Sequence, residues 1–449
     1  MDILVGLMIS AIMLIYSVIN SIFIGIPLTL CLFVFCFIAY KRGYSFKEII
    51  KIAYSGGEKS LIVGQILLLI GMVTASWMTS GTVEGMVYYG IKFMNPRFFI
   101  LYTYIICTMV SYIMGTGFGT VGTIGLSFMC IAKIGNINPN IVAGAIVSGA
   151  YFGDRCSPMS SSANLISNLT DTEIYTNIKN MLKTTIIPFI LCVFIYFLLS
   201  FKYPLDLVEK GINEEILKYF NISIIVLLPA ILIFTLSLFK VNVKKSMLFS
   251  IVLSFFISYF YQNVGVKKFL YYLIFGYKIP DNTFLSSIIK GGGIVSMLGA
   301  MYITFISCAL AGVLEGTNLL SNVHKFLRNV NSRYGIFFCT IIFSIITAAF
   351  GANQSIAIVL TIQLMSDSYK RMNLDKYQFA LDIENTAVVI SPLIPWNISG
   401  LIPAVTLGVS SIKYIPYAFY IYLVPIVNLI YLVLMDFYHK RFNKKRTSF

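Results

Sequence analysis

Acidic, hydroxyl and amide side chains gather in two stretches of an otherwise apolar chain. The first is GAYFGDRCSPMSSSANL at 149–165. Pro158 has no backbone N–H and disfavours helix at Ser157, so the chain is predicted to unwind there. Unwinding frees carbonyl oxygens beside Ser157, Ser160, Ser161, Ser162 and Asn164, and hard oxygen ligands of this sort suit Na⁺ or the polar part of a substrate. Asp154 and Arg155 stand just before the break. A charge inside a membrane costs roughly 2.5–3.5 kcal/mol on insertion scales, so its presence there points to function or to tight pairing. The plain alternative is that both residues mark a loop end at the cytoplasmic surface.

The second stretch begins with TAAFGANQSIAIVL at 347–360, where Asn353, Gln354 and Ser355 interrupt an apolar run. It continues as ALDIENTAVVISPLIPWN at 380–397, with Asp382 and Glu384 ahead of a break containing Ser391, Pro392, Pro395 and Asn397. Glu384, once desolvated, is a natural proton carrier. Helix capping near the interface is the structural alternative for Asp382 and Glu384, as interfacial anchoring is for Trp396. A third segment, GTGFGTVGTIG at 115–125, holds five glycines and the hydroxyls of Thr116, Thr120 and Thr123. It reads as a re-entrant hairpin, because non-helical backbone survives at membrane depth only inside protein or along a wet cavity. A small-residue helix-packing face is the alternative. Glu84 reads as a solvated span end, Glu315 as lying deeper, and His324 as a bystander in a basic loop.

The elements that must hold these residues are membrane spans. Of 449 residues, 58% are hydrophobic and 11% charged. A soluble domain carries roughly 25% charged residues. At roughly 20 apolar residues per span, the length allows about 11 to 13 crossings and no separate soluble domain. The expected fold is therefore an all-α polytopic membrane protein. The net charge of +15 does not suggest nucleic acid, because the Lys and Arg residues lie in short clusters between apolar runs. Asp2 precedes the first apolar run with no basic region, which reads as an uncleaved first span.

Basic clusters at Lys41–Lys59, Lys240–Lys245, Lys325–Arg333 and Lys440–Arg446 place those segments and both termini in the cytoplasm by the positive-inside rule. The acidic segment with Asp206, Glu209, Glu214 and Glu215 then lies outside, while 263–290, with four lysines, fits poorly there. Gly81-Thr82 recurs as Gly316-Thr317, Phe118-Gly119 as Phe350-Gly351, and Ser157-Pro158 as Ser391-Pro392, at offsets of 235, 232 and 234. Three matches in order suggest a duplicated half, and the topology makes the halves inverted. Secondary transporters have this architecture, with the site near the midplane between repeats. The expected division is N-terminal spans and a cytoplasmic loop at 1–60, a first repeat at 61–200, connecting spans at 201–290, and a second repeat with a basic tail at 291–449.

The run SWMTSGTVEGMVYYG (76–90), FGTVGTIG (118–125), GAYFGDRCSPMSSSANL and ISPLIPWNISG (390–400) resembles the NhaC-type sodium/proton antiporter family, over about residues 60–430. The resemblance implies two inverted repeats, each with a re-entrant hairpin and a discontinuous helix. It also implies Na⁺ and H⁺ as coupling ions with no other cofactor, in the cytoplasmic membrane of a prokaryote. Two positions depart from the family pattern. Family members commonly follow the first Ser-Pro with Ser-Asp-Thr-Thr-Asn, where this chain has Ser160, Ser161, Ser162, Ala163 and Asn164; many have Glu-Asp where it has Glu384-Asn385. The acids left for proton and cation coupling are Asp154 and Glu384. Thr120, the serines, Asn164, Asn353, Gln354, Asn385, Ser391 and Asn397 supply neutral oxygens.

The reading is a secondary active transporter, a Na⁺/H⁺ antiporter by resemblance, with Na⁺- or H⁺-coupled carriage of an amino acid or small organic acid as the alternative. Its partners are small ions or a small solute, the bilayer and a second copy in a homodimer. A passive channel fits paired discontinuous regions less well than a carrier. A serine enzyme would need a base within reach of Ser160–Ser162, and the two histidines, His324 and His439, sit far along the chain.

Overall fold

The computed structural model describes residues 2–20, 22–58, 60–205, 212–239, 241–279, 290–317, 330 and 332–446. Lys59, Asp206, Glu209, Lys240, His324, Lys325 and Arg328, on which the topology reading drew, lie outside them. Lipid offers no hydrogen-bond partners, so apolar runs satisfy their own backbone as helix. The protein is an all-α polytopic membrane protein. The sheet among the described residues is one two-residue antiparallel pair, Tyr277–Lys278 with Lys290–Gly291. Among the described residues, seven helices are long and apolar enough to cross a membrane, or nine if each of two bent pairs is one span. Three shorter apolar helices, Met8–Ser17, Gly25–Lys41 and Ile224–Leu236, accompany them. Helix Ile174–Lys202 turns Ile186, Ile187, Ile190, Phe194 and Leu198 outward, as a lipid-facing helix must.

Helix Pro139–Cys156 lies at the centre of the largest apolar cluster and is buried at fifteen of its eighteen positions. Small residues permit this. A side-chain carbon at Gly149 would meet Cys107 and the backbone of Tyr104 and Thr108, and one at Gly153 would overlap Ser111. The Gly149–Gly153 spacing therefore lets Pro139–Cys156 seat directly on helix Phe99–Met114.

Backbone features of one half recur in the other at a constant spacing, for example 353 − 116 = 237. The span Pro96–Met114 corresponds to Arg333–Gly351, and Gly117–Ile134 to Gln354–Arg371. Left-handed residues recur at Gly115 and Ala352, at Asn136 and Asn373, and at Asp171 and Gly408. Helix caps recur at Asn138 and Asp375 and at Ser160 and Asn397. The dipeptide offsets of 232 to 235 were thus near the structural spacing without being in register with it.

The Gly-rich segment 115–125 opens on a break: helix Phe99–Met114 ends at Gly115 (φ +65°), where Met159 and the backbone of Ser160 approach too closely for a side chain. A new helix follows, with Gly117–Thr120 α-helical, Val121–Gly125 a π-helical turn and Leu126–Ile134 α-helical again, so the break is confined to Gly115 and Thr116. The glycines after it serve packing: Gly122 meets Ile70, and Gly125 meets Ile146.

Candidate functional site

The first break forms where Pro158 requires it. Helix Pro139–Cys156 ends, Ser157 turns extended, and a new helix, Ser161–Leu169, starts from Ser160, whose hydroxyl accepts the Ala163 amide at 3.2 Å. Asp154 is buried in the last turn before the break, so it is no surface loop end. The hydroxyls of Ser160 and Ser162 both lie within hydrogen-bond reach of its backbone carbonyl, Ser162 at 2.8 Å, and of each other at 2.8 Å, so their single hydrogens are shared among these contacts. Its carboxylate accepts from the Gln354 amide at 2.9 Å and, with longer bonds, from the Gly117 backbone N–H at 3.4 Å and Ser162 at 3.5 Å. Gly117 and Gln354 are the opening residues of corresponding helices, 237 positions apart (354 − 117 = 237). The two halves therefore converge on one carboxylate.

The second break gathers Glu384, Asn385 and Ser391. Lys376–Ile383 runs into a π-helical turn, Glu384–Val388, a feature that rearranges the backbone ladder and is frequent at functional sites. Glu384 is completely buried, and neither carboxylate oxygen has a hydrogen-bond partner. Its electrostatic neighbours are Arg155 and Asp154. Arg155, also completely buried, donates to Asn385, Thr185, Thr184 (2.9 Å) and Tyr420 (3.1 Å). Neither Glu384 nor Asp382 caps a helix N-terminus: Glu384 carries helix Lys376–Ile383 into the π-helical turn, and Asp382 forms an ion pair with Arg333 at 2.7 Å and accepts from Tyr369 at 2.6 Å.

Other expected site residues hold the frame. Asn353 and Asn397 cap the helices Gln354–Arg371 and Ile398–Leu407, accepting from Ser355 and Ser399. Asn397 and Trp396 also donate to the carbonyls of Ala348 and Ala349, so Trp396 is tied inside rather than anchored at an interface. Thr120 and Ser391 return their hydroxyls to their own helices, at Thr116 and Ala387. Ser157 accepts the Met159 amide, and Asn164 donates to the carbonyls of Pro158 and Ser160. Ser161 and Asn164 are exposed, away from the buried carboxylates. The acid missing at Ser161 is thus not missing from the Asp154 cluster, whereas Asn385 stands directly against Arg155.

One further expectation on acids changes: Glu84 is fully buried rather than a solvated span end, while Glu315 is half-buried. The sequence reading set Arg155 beside Asp154 as a charge kept for function or tight pairing, but did not find its ring of Thr184, Thr185 and Tyr420. The available signal was one Arg amid small and apolar residues, since a buried guanidinium requires several acceptors.

A family model described as the Na⁺/H⁺ antiporter family matches residues 149–435, which include both breaks. The chain belongs to the Na⁺/H⁺ antiporter family. It is 31% identical over 408 residues to the malate-2H⁺/Na⁺-lactate antiporter of Bacillus subtilis (strain 168), covering 88% of this chain and 87% of that protein. It is 28% identical to the Na⁺/H⁺ antiporter NhaC of Alkalihalophilus pseudofirmus, covering 90% and 89%. It is 27% identical to the arginine/ornithine antiporter ArcD of Halobacterium salinarum, covering 89% and 83%. Family membership thus spans relatives named for ions, organic acids and amino acids.

Proposed function

We propose that this chain is a Na⁺/H⁺ antiporter of the cytoplasmic membrane that works by alternating access, with Na⁺ at Asp154 and the proton on Glu384. The observation that carries this reading is the Gln354 amide, whose NH₂ group bridges the Asp154 carboxylate (2.9 Å) and the Val388 carbonyl (3.1 Å). A donor held between two oxygens from two discontinuous regions occupies the place a hard cation would take. The Ser162 hydroxyl, 3.5 Å from the same carboxylate, adds a neutral oxygen of the kind Na⁺ takes. The halves at 61–200 and 291–449 act as inverted repeats, and the 237-residue recurrence of caps and turns supports their duplication. Rocking of one against the other about Asp154 exposes it to alternate sides. Glu384, buried without a hydrogen-bond partner, exchanges its proton when that motion brings it water.

The test is a Na⁺ pulse outside proteoliposomes that hold a pH-sensitive dye, with the membrane potential clamped. Internal alkalinisation is expected from a population inserted so that Na⁺ entry drives H⁺ exit, and it is lost in Asp154→Asn and Glu384→Gln. No response from correctly folded protein would remove Na⁺/H⁺ exchange as the activity.

One observation favours a second cargo, a small organic acid or amino acid. Arg155 is a buried guanidinium surrounded mostly by neutral oxygens, and its partner Thr184 also lines a cleft of about 450 Å³ with Asn180, Lys183 and Asn428. A guanidinium set this way suits a carboxylate, and the relative named for malate and lactate is the 31% match. Counterflow of labelled carboxylates and amino acids separates the two cargoes.

A further inference from the structure

Glu84 sits in the first turn of helix Thr82–Phe93, directly after a 67° bend from the preceding span and next to Gly81 at φ +76°. Its side chain is 0% exposed, and neither carboxylate oxygen has a hydrogen-bond partner on another residue. The first turn of a helix favours negative charge, but that effect is small beside the penalty of burying an unpaired carboxylate.

The groups around it do not offset that penalty. Helix Leu126–Ile134 brings Cys130 and Lys133, the strand Tyr277–Lys278 brings Tyr277, and Ile212–Tyr219 brings the exposed Glu214 and Lys218. Glu84's own helix carries Tyr88, Tyr89 and Lys92, while Leu61–Thr79, Ile224–Leu227 and Leu228–Leu238 present no titratable side chain. None of these cations pairs with Glu84 among the described residues. A metal ion would need several converging oxygens, yet the nearby hydroxyls of Ser80 and Thr82 are engaged with each other at 2.7 Å. A proton needs only the carboxyl itself.

We propose that Glu84 is a second proton-binding site, outside the Asp154–Glu384 cluster, which holds its proton while the Ser80–Gly81 bend is closed and exchanges it when the bend opens to water. The bound proton stands on burial and missing partners alone. Its exchange during turnover rests on the proton-coupled reading above.

Two measurements on the full chain test this. In a Glu384→Gln background, infrared spectroscopy at neutral pH should show a protonated-carboxyl stretch that disappears in Glu84→Gln. If that variant does not fold, Glu84→Asp should shift the band. A band unaffected by either substitution overturns the site. In proteoliposomes, the reversal potential of Glu84→Gln should report one proton fewer per cycle than the parent. An unchanged ratio with the band lost would leave a bound proton and overturn its exchange. Absence of proton movement in the parent protein would refute the antiport reading and the exchange with it, while the infrared result would still decide whether Glu84 holds a proton.

Discussion

Gln354 donates a hydrogen bond to Asp154 across 200 residues of sequence, at 2.9 Å. The pair joins the residue that opens one helix of the second half to the carboxylate that closes a helix of the first. Because the same amide group also reaches the Val388 carbonyl, it links both discontinuous regions through one side chain.

If that amide marks the cation position, Gln354→Ala should raise the Na⁺ concentration for half-maximal transport about tenfold, the equivalent of about 1.4 kcal/mol. Gln354→Glu, which adds a second carboxyl, should change the dependence on pH as well as on Na⁺. Initial rates in proteoliposomes across Na⁺ and pH check both. Unchanged Na⁺ dependence in Gln354→Ala would show that the cation binds elsewhere.

Asn385 accepts a hydrogen bond from the buried Arg155. Asn385→Asp supplies the acid found in many family members and turns that contact into a charge-assisted one, which should stabilise the fold by about 1 kcal/mol. Asn385→Ala removes an acceptor from a buried guanidinium and should cost about 1–3 kcal/mol. Thermal unfolding in detergent orders the three proteins, Asp above Asn above Ala.

We expect the Arg333–Asp382 pair to hold the fold and to take no part in transport. Asp382 is 2% exposed and also takes the Tyr369 hydroxyl. Asp382→Asn should destabilise by about 3 kcal/mol, since removing one partner leaves the other charge unpaired. The H⁺ to Na⁺ ratio of the folded fraction should not change. A changed ratio would move Asp382 into the coupling machinery.

At the surface, Glu173 caps helix Ile174–Lys202, and hydrogen bonds from the Thr176 hydroxyl first, then from the Tyr175 and Thr176 amides, hold its carboxyl below the ordinary carboxylate range. A group with a lowered folded value contributes stability above its unfolded pKa of roughly 4.3 and loses it as pH falls through the folded value. Glu173→Gln should therefore lower the unfolding temperature slightly at pH 7, with the difference closing below about pH 4. Melting curves at both pH values read it directly.

Composition and spacing alone determined the membrane setting, the helical class and the two interruptions. Low charge content leaves no water-facing surface, and Pro158 and Pro392 break backbone ladders wherever the chain goes. The family motifs were legible for the same reason, since they are local. What the tertiary structure decided was which polar residues meet. Ser161 and Ser162 are neighbours, yet one faces outward and the other reaches Asp154, because a helix begins between them and the break. Glu84 was read as solvated because span ends commonly are, and only the packing of Leu126–Ile134 and Ile224–Leu227 around it removes the water. Of the glycines of 115–125, Gly115 makes the break between two helices, while Gly122 and Gly125 let neighbouring helices approach closely and their backbone stays helical. Burial and partnership are sums over distant segments, and no local pattern of residues contains them.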